Sequence, residues 1–431
     1  MGNSSIKSSV PEQDKLALFR TLAQAQQFSV RVPDTLNFVW IGDCSRADFS
    51  YLSVWRRFNP HMTMQLWTDE SSHFCHRFQH YLRKWSSAGP ALSLCEIQNA
   101  AFEFIYSRVM RGDSFNTAAL NFLQVNNIFI DESFFPDALR RDGDIPEGVF
   151  CRDINTLFEN ELIRYRKLYY YELILRGNFA AASDIIRLLV LYRYGGFYID
   201  LDTLPEIDYL FNETKSAEKE FGIEDDERVC LAKSAAFIGW FQNETECPQV
   251  VDNYIIQIAN LPELAREEIK SRIIKDFNNL CEQEFRSLGD IFVHPWLMLA
   301  GAVKFLPGTF FNNMMCSAPN ARMIRLILKR IEKNYRYLER SKALFKQGVD
   351  NNDAYRSFLC GYRNNAEGFS DPVTLRLTGP GAIIDTLTHL FYRFTPEGSH
   401  LPHCELGMLL QKDEYGLTIK KQTMDTPMGL K

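Results

Sequence analysis

A-A-A-S-D-I-I-R-L-L-V-L-Y-R-Y-G-G-F-Y-I-D-L-D-T-L-P, residues Ala180 to Pro205, is the stretch whose reading decides the fold. Ile185, Ile186, Leu188, Leu189, Val190 and Leu191 make its first part apolar nearly all round, which predicts a helix over Asn178 to Tyr194 buried on every side. Gly195-Gly196 supplies the helix stop. Phe197 to Pro205 then starts as a buried strand and runs into two acids, Asp200 and Asp202. A buried helix feeding a buried strand is the unit of an α/β sheet covered by helices, and ligands of such sheets bind at the carboxyl ends of the strands.

Upstream, L-N-F-V-W-I-G (Leu36 to Gly42) reads as a core strand, Asp48 to Phe58 as a helix, Met62 to Thr68 as a second strand, Ser71 to Ser87 as a helix and Leu92 to Ile97 as a third strand. The rhythm βαβαβ is that of a parallel sheet of nucleotide-binding type. Ala100 to Arg176 breaks it with long aromatic runs and reads as a helical insertion. Beyond Pro205, Val229 to Trp240 reads as one or two strands and Pro248 to Leu288 as helical. Phe310 to Ser317 reads as a strand, Asn320 to Gln347 as a long helix, and Val373 to Thr378 as a last strand before Gly379-Pro380-Gly381. The domain expectation is an N-terminal helical extension over residues 1–30, with a helix over Glu12 to Gln27. A single catalytic domain over 31–431 follows, with its insertion at about 100–177 and further helices at about 248–370.

The chain has 431 residues, 46% hydrophobic and 24% charged, and a formal charge of −6 from 48 basic and 54 acidic side chains in no long block. A nucleic-acid binder would carry a basic face able to displace counterions, so none is expected. Ten scattered cysteines without a C-x-x-C pair argue for reduced thiols in a cytoplasmic setting. The opening M-G-N-S-S-I-K-S-S lacks the apolar stretch of a signal peptide, and Ile6 stands where myristoylation of Gly2 wants Ser or Thr. The longest apolar stretch, Ile291 to Leu306, contains His294, Pro295 and Lys304 and reads as a buried helix, not a membrane span.

Asp200 and Asp202 lie one residue apart at a strand end, where side chains two apart share a side, so they can share one hard cation such as Mg²⁺ or Mn²⁺. Asp184 and Arg187, three apart on the buried helix, share a face. They form either an intrahelical ion pair or a set of acceptors and donors for sugar hydroxyls.

Taken together, acid-x-x-Arg, Gly-Gly and D-x-D in this order resemble the signature of glycosyltransferases with a DXD sugar-binding region. The likeness is strongest to the catalytic domains of large clostridial glucosylating toxins and looser to yeast-type α-1,6-mannosyltransferases. N-F-V-W-I-G resembles the first strand of that family, N-P-H-M-T-M-Q-L-W-T-D-E (Asn59 to Glu70) the next, and L-T-G-P-G-A-I (Leu377 to Ile383) its Ser/Thr-Gly-Pro turn. The resemblance implies a GT-A-like, mixed but mainly parallel sheet with flanking helices, and a UDP-sugar donor carrying glucose or GlcNAc. It also implies Mn²⁺ or Mg²⁺ and retention of the anomeric configuration. By the same resemblance Asp202 would bind the metal, Asp200 would touch ribose and a metal-bound water, Asp184 and Arg187 would hold the sugar, Trp40 would stack on uracil, and Tyr198 would lie near ribose or diphosphate.

No counterpart of the toxins' long N-terminal membrane-targeting region is expected in the residues before the first strand, and their C-terminal acidic loop has no clear counterpart. G-S-H-L-P-H-C-E (Gly398 to Glu405) is the cluster able to replace that loop, which makes His403 or His400 a candidate metal ligand. The acceptor implied is a Ser, Thr or Tyr hydroxyl of a protein, a small GTPase by the toxin likeness, reached by signal-peptide-independent delivery into a host cell. The alternatives are a glycan- or lipid-directed hexosyl- or mannosyltransferase, a non-catalytic nucleotide- or protein-binding module, and a metal-dependent phosphohydrolase. The last would want a second motif of acids and histidines that the sequence does not offer.

Overall fold

The computed structural model describes residues 28–44, 47–89, 92–129, 145–224, 226–242, 247–256, 261–302, 308–349, 357–363, 372–394, 403–411, 418–419 and 422–425. The expected Glu12 to Gln27 helix lies outside them. The strands are β1 (Val30–Arg31), β2 (Thr35–Trp40), β3 (Thr63–Thr68), β4 (Val149–Asp153), β5 (Gly196–Ile199) and β6 (Thr203–Pro205), then β7 (Phe292–Val293), β8 (Met298–Gly301), β9 (Phe311–Ser317), β10 (Thr418–Ile419) and β11 (Gln422–Asp425). Seven of them form one sheet in the order β10-β8-β9-β5-β2-β3-β4. β5, β2, β3 and β4 run parallel, and β9 is antiparallel to both β5 and β8. The sheet is mixed, mainly parallel and flanked by helices, as the sequence implies.

Side-chain alternation splits the core between the two faces. Leu36, Phe38, Phe197 and Ile199 point to one side with Trp55 and Met314, while Val39 and Tyr198 point to the other, against the Phe179–Tyr194 helix. Asn37 is buried on that second side and is satisfied completely enough to act as a cross-strand pin. Its Nδ2 donates to the Phe197 carbonyl at 3.1 Å, and its Oδ1 accepts from Trp67 Nε1 at 3.1 Å, tying β2 to both neighbours. A separate cluster packs Ile207, Phe211, Phe237, Ile269 and Ile273 among the helices between β6 and β7.

Five readings of the sequence are corrected. Leu92 to Ile97 is the start of a helix, Leu94–Val109, because Ser93 and Glu96 form a reciprocal capping box that satisfies the first backbone N–H groups. The third parallel strand is instead β4, inside the stretch expected to be an all-helical insertion. Val229 to Trp240 belongs to a helix, Glu227–Phe241, capped by Asp226 and buried over much of its circumference, so no alternation between polar and apolar survives. Val373 to Leu377, most of the expected strand Val373 to Thr378, is helical as well, with Pro372 in the first-turn position where its missing N–H costs nothing. Ile291 to Leu306 contains β7 and β8 instead of a helix, divided around Pro295. The strands at Leu36, Met62 and Phe310 and the helices at Asp48 and Asn178 occur as expected, within a few residues at their ends, and the helix expected over Asn320 to Gln347 occurs but ends at Arg340.

Among the described residues no helix is long and apolar enough to cross a membrane. The eight cysteines whose side chains are described are all free thiols.

Candidate active site

Because β5, β2, β3 and β4 are parallel, Trp40, Thr68, Asp153 and Ile199 end their strands along one edge of the sheet. Asp200 and Asp202 follow at that edge, in the turn between β5 and β6 closed by the Thr203 N–H on the Asp200 carbonyl at 3.0 Å. The pair is therefore held by a turn and not by strand alternation. Continuing the β2–β5 register from Leu36 with Phe197 and Asn37 with Tyr198 brings Trp40 level with this turn. Trp40 is half-buried, and its Nε1 donates to the Asp43 carbonyl at 3.1 Å.

The helix Phe179–Tyr194 reaches β5 through two glycines with φ of 66° and 86°. A Cβ on Gly195 would stand 2.7 Å from the Pro319 nitrogen and 2.8 Å from the Ser317 carbonyl, and one on Gly196 2.7 Å from the Thr35 carbonyl. Only glycine combines that backbone with that crowding. The reversal is tight enough to lay the helix back along the strand, so that residues early in the helix meet residues at the strand's far end.

Arg187 is the centre of that meeting. Its guanidinium stands 3.4 Å from Asp184 and 3.2 Å from Asp200 and donates to the Asn312 carbonyl at 2.9 Å and to Ser183 Oγ at 3.2 Å. It also lies over the Tyr198 ring, 4.6 Å from the centroid. Burial opposes its charge, but Asp200, Tyr198, Asp184 and Asp202 together hold its pKa above the ordinary arginine value. Tyr198 donates its hydroxyl to Asp200 Oδ1. Burial pushes that phenol's pKa well up, which keeps the proton on it.

Asp184 accepts from Asn312 Nδ2 at 2.7 Å and from Thr378 Oγ1 at 2.9 Å. Burial raises its pKa, and Arg187, Thr378 and Asn312 only partly offset this. Neither Asn312 nor Thr378 is singled out by sequence reasoning as a site residue. A signal exists for each: Asn312-Asn313 is a polar doublet in a strand that is apolar from Met314 to Cys316, and Thr378 opens the Thr-Gly-Pro turn. β9 contributes further through the Asn313 carbonyl, which takes the Asp200 N–H at 2.7 Å.

One buried guanidinium thus sits among three carboxylates, which leaves the cluster with an excess of negative charge and oxygen donors only. That donor set fits a hard divalent cation held through one or two carboxylates and completed by a ligand's phosphates. No group of three or more His, Cys, Asp or Glu side chains able to hold a metal occurs among the described residues, so such an ion would need oxygens from a ligand or water. Asp184, Arg187, Tyr198, Asp200 and Asp202 come together as expected, with Trp40 at the same edge. His403 is the first residue of the helix His403–Leu410, but its side chain, like all of His400, lies outside the described residues.

Comparison with known proteins agrees with this geometry. A family model described as the TcdA/TcdB catalytic glycosyltransferase domain matches residues 136–368. A second, the glycosyltransferase sugar-binding region containing the DXD motif, matches residues 47–219. Toxin A of Clostridium novyi is 26% identical over 74% of this chain and 15% of its own length, and Toxin B of Clostridioides difficile 23% identical over 76% and 14%. The chain therefore spans about a seventh of the curated relatives it matches. Among solved structures, the catalytic domain of alpha-toxin from Clostridium novyi has a TM-score of 0.65 at 19% identity, covering 93% of this chain and 80% of that one. The UDP-bound glycosyltransferase domain of the YGT toxin has a TM-score of 0.52 at 19% identity, covering 90% and 79%. The structural likeness supports a GT-A fold, and the family match spans more than half of the sequence: the chain belongs to the TcdA/TcdB catalytic glycosyltransferase domain family.

Proposed function

We propose that this glycosyltransferase moves a hexose, glucose or GlcNAc, from a UDP-sugar to a Ser, Thr or Tyr hydroxyl of a protein, with Mn²⁺ or Mg²⁺ as cofactor. The observation that carries the reading is the chain Asp184–Arg187–Asp200, a buried donor and acceptor set that ends at the D-x-D turn on the carboxyl edge of the sheet. Buried charges held in fixed rotamers at this edge are suited to orient hydroxyls, which need both donors and acceptors.

In this reading Asp202 holds the metal and Asp200 the ribose and a metal-bound water. When bound, the ion neutralises the diphosphate as the bond to the sugar breaks. Tyr198 and Arg187 keep Asp200 in place, Asp184 and Arg187 grip the sugar, and Trp40 offers an aromatic face to the uracil. The acceptor oxygen forms its bond to the anomeric carbon as the bond to UDP breaks, and its proton leaves with bulk solvent or the leaving group. Retention by same-face attack belongs to the proposal through the family, as does His403 or His400 as a further ligand. The toxin relatives favour a protein acceptor, a small GTPase in the first instance, inside a host cell.

The test has two stages. UDP release is measured from a panel of UDP-sugars with and without Mn²⁺, and the preferred labelled donor is then incubated with a eukaryotic cell lysate. Discrete labelled proteins are expected. Label confined to lipid or polysaccharide fractions removes the protein acceptor, and absence of any UDP release removes the donor.

A further inference from the structure

The helix Arg322–Arg340 follows β9 and packs on the Phe179–Tyr194 and Pro380–Phe394 helices. Its inner side, from Met323 and Ile324 to Tyr335 and Leu338, is buried. Its outer side carries no neutral or acidic residue at any exposed position: Arg322, Arg325, Lys329, Lys333, Arg336 and Arg340 fill all six. Steps of three and four keep them in one row, roughly 27 Å long at the helical rise per residue. The helix's two acids lie beside the row and are engaged, Glu332 by Arg336 at 2.5 Å and Arg164 at 3.7 Å, Glu339 by Lys167 at 3.0 Å. Among the described residues Arg325, Lys329, Lys333 and Arg340 form no ion pair with an acid.

Such a row repels itself, and it stands on a chain whose formal charge is −6. Composition therefore does not account for it. At the start of the row Trp296 is 59% exposed, with the Arg322 guanidinium 5.9 Å from its ring, and Phe292 nearby in the chain is 55% exposed. The Met323 N–H on the Trp296 carbonyl at 2.8 Å fixes this aromatic to the helix end.

We propose that this face docks the protein on an anionic phospholipid surface. A straight row of cations on a rigid helix meets a plane along its whole length, and clusters of four to eight Lys and Arg on an amphipathic helix bind anionic lipid electrostatically. An exposed tryptophan beside the row supplies the apolar contact that settles at the headgroup level. A nucleic acid is the other polyanion to consider. It would want a broader basic cradle, and a row one residue wide, bordered by Glu332 and Glu339 and ending in exposed aromatics, does not offer one.

The test floats the full chain with vesicles of phosphatidylcholine alone and of phosphatidylcholine with phosphatidylserine. Binding only to the phosphatidylserine vesicles, lost at high salt, is expected. The variant Arg325→Gln, Lys329→Gln, Lys333→Gln, Arg340→Gln should bind more than about tenfold more weakly, at several-fold per charge, with a thermal midpoint no lower than the wild type's. Trp296→Ala should weaken binding further when added to it. If the fourfold variant does not fold, Arg325→Ala with Lys333→Ala serves under the same criterion. Equal binding to both vesicles, unchanged binding of the folded variant, or capture by duplex nucleic acid with none by phosphatidylserine vesicles overturns the proposal. The melting and flotation readouts stand whether or not sugar transfer is found.

Discussion

Arg187 and Asp200 lie 13 residues apart in the chain and form an ion pair at 3.2 Å. A helix and the strand it feeds normally carry their charges away from each other. Here the Gly195-Gly196 reversal folds the strand back along the helix, and the pair closes the loop. Half of the pair is buried: Arg187 is 7% exposed at its side chain and Asp200 28%. Asp200 thus presents part of its carboxylate outward while the rest is fixed by Arg187 and Tyr198, the arrangement wanted of a group that must hold a ligand without moving.

Asp202→Asn should lower sugar transfer by on the order of 100- to 1000-fold, the scale for losing one preorganised electrostatic contact to the reacting groups. Its melting temperature should stay near wild type. Asp200→Asn should lose transfer similarly and also melt earlier, since it weakens the partnerships with Arg187 and Tyr198. Steady-state kinetics at saturating Mn²⁺ together with calorimetry separate the two, and wild-type kcat/KM in both variants would remove the pair from the site.

Trp40→Ala should weaken UDP binding by about 1 to 3 kcal/mol, the range for losing one base–aromatic stack. Trp40 is half-buried at the edge of the core, so a packing role predicts a different result. Titration calorimetry with UDP decides: unchanged affinity with a lowered melting temperature assigns Trp40 to the core.

The helix–glycine–strand segment was legible because most of it is buried, Ile185 to Tyr192 and Gly195 to Ile199 without interruption, and burial on that scale leaves long apolar runs. Leu94–Val109 shows the opposite case. Its opening L-S-L-C-E-I is short and apolar enough to pass for a strand, and the deciding signal was the Ser93/Glu96 spacing and not hydrophobicity. β4 was not legible at all: Phe150, Cys151, Arg152 and Asp153 are exposed on an edge strand, so no buried face imposes a pattern on them. Asp184 and Arg187 could be paired from their spacing, whereas Asn312 and Thr378 reach Asp184 from positions 128 and 194 residues away. Contacts of that range depend on the sheet order, with β9 inserted antiparallel beside β5, which no local periodicity encodes.

Thr378→Val should cost about 1 to 3 kcal/mol of folding stability, because a buried carboxylate loses a donor, and should lower transfer by loosening Asp184. The volume is nearly conserved, so the variant should still fold, with a lowered melting temperature. Asn312→Ala should do the same from the other oxygen of Asp184. A fall in kcat/KM for transfer with unaltered UDP affinity is expected of both variants. Weakened UDP binding would place these residues on the nucleotide and not on the sugar side.

Asp184→Asn should lose transfer yet be at least as stable as the wild type at neutral pH. Burial raises the Asp184 pKa above its unfolded value, even after the help of Arg187, Thr378 and Asn312. Between the unfolded value, about 3.9, and the higher folded value, the native state binds more protons than the unfolded chain. Stability must therefore fall as pH rises through that window, and the loss persists above the folded pKa. An asparagine carries no charge to desolvate, and its side-chain carbonyl can still accept from Asn312 or Thr378. The variant's stability should accordingly lack this contribution to the decline. Urea unfolding of both proteins at a series of pH values, without donor or metal, gives the difference directly. A variant that is less stable at neutral pH and keeps the wild-type pH slope would mean that the ion pair with Arg187 outweighs the cost of burying Asp184.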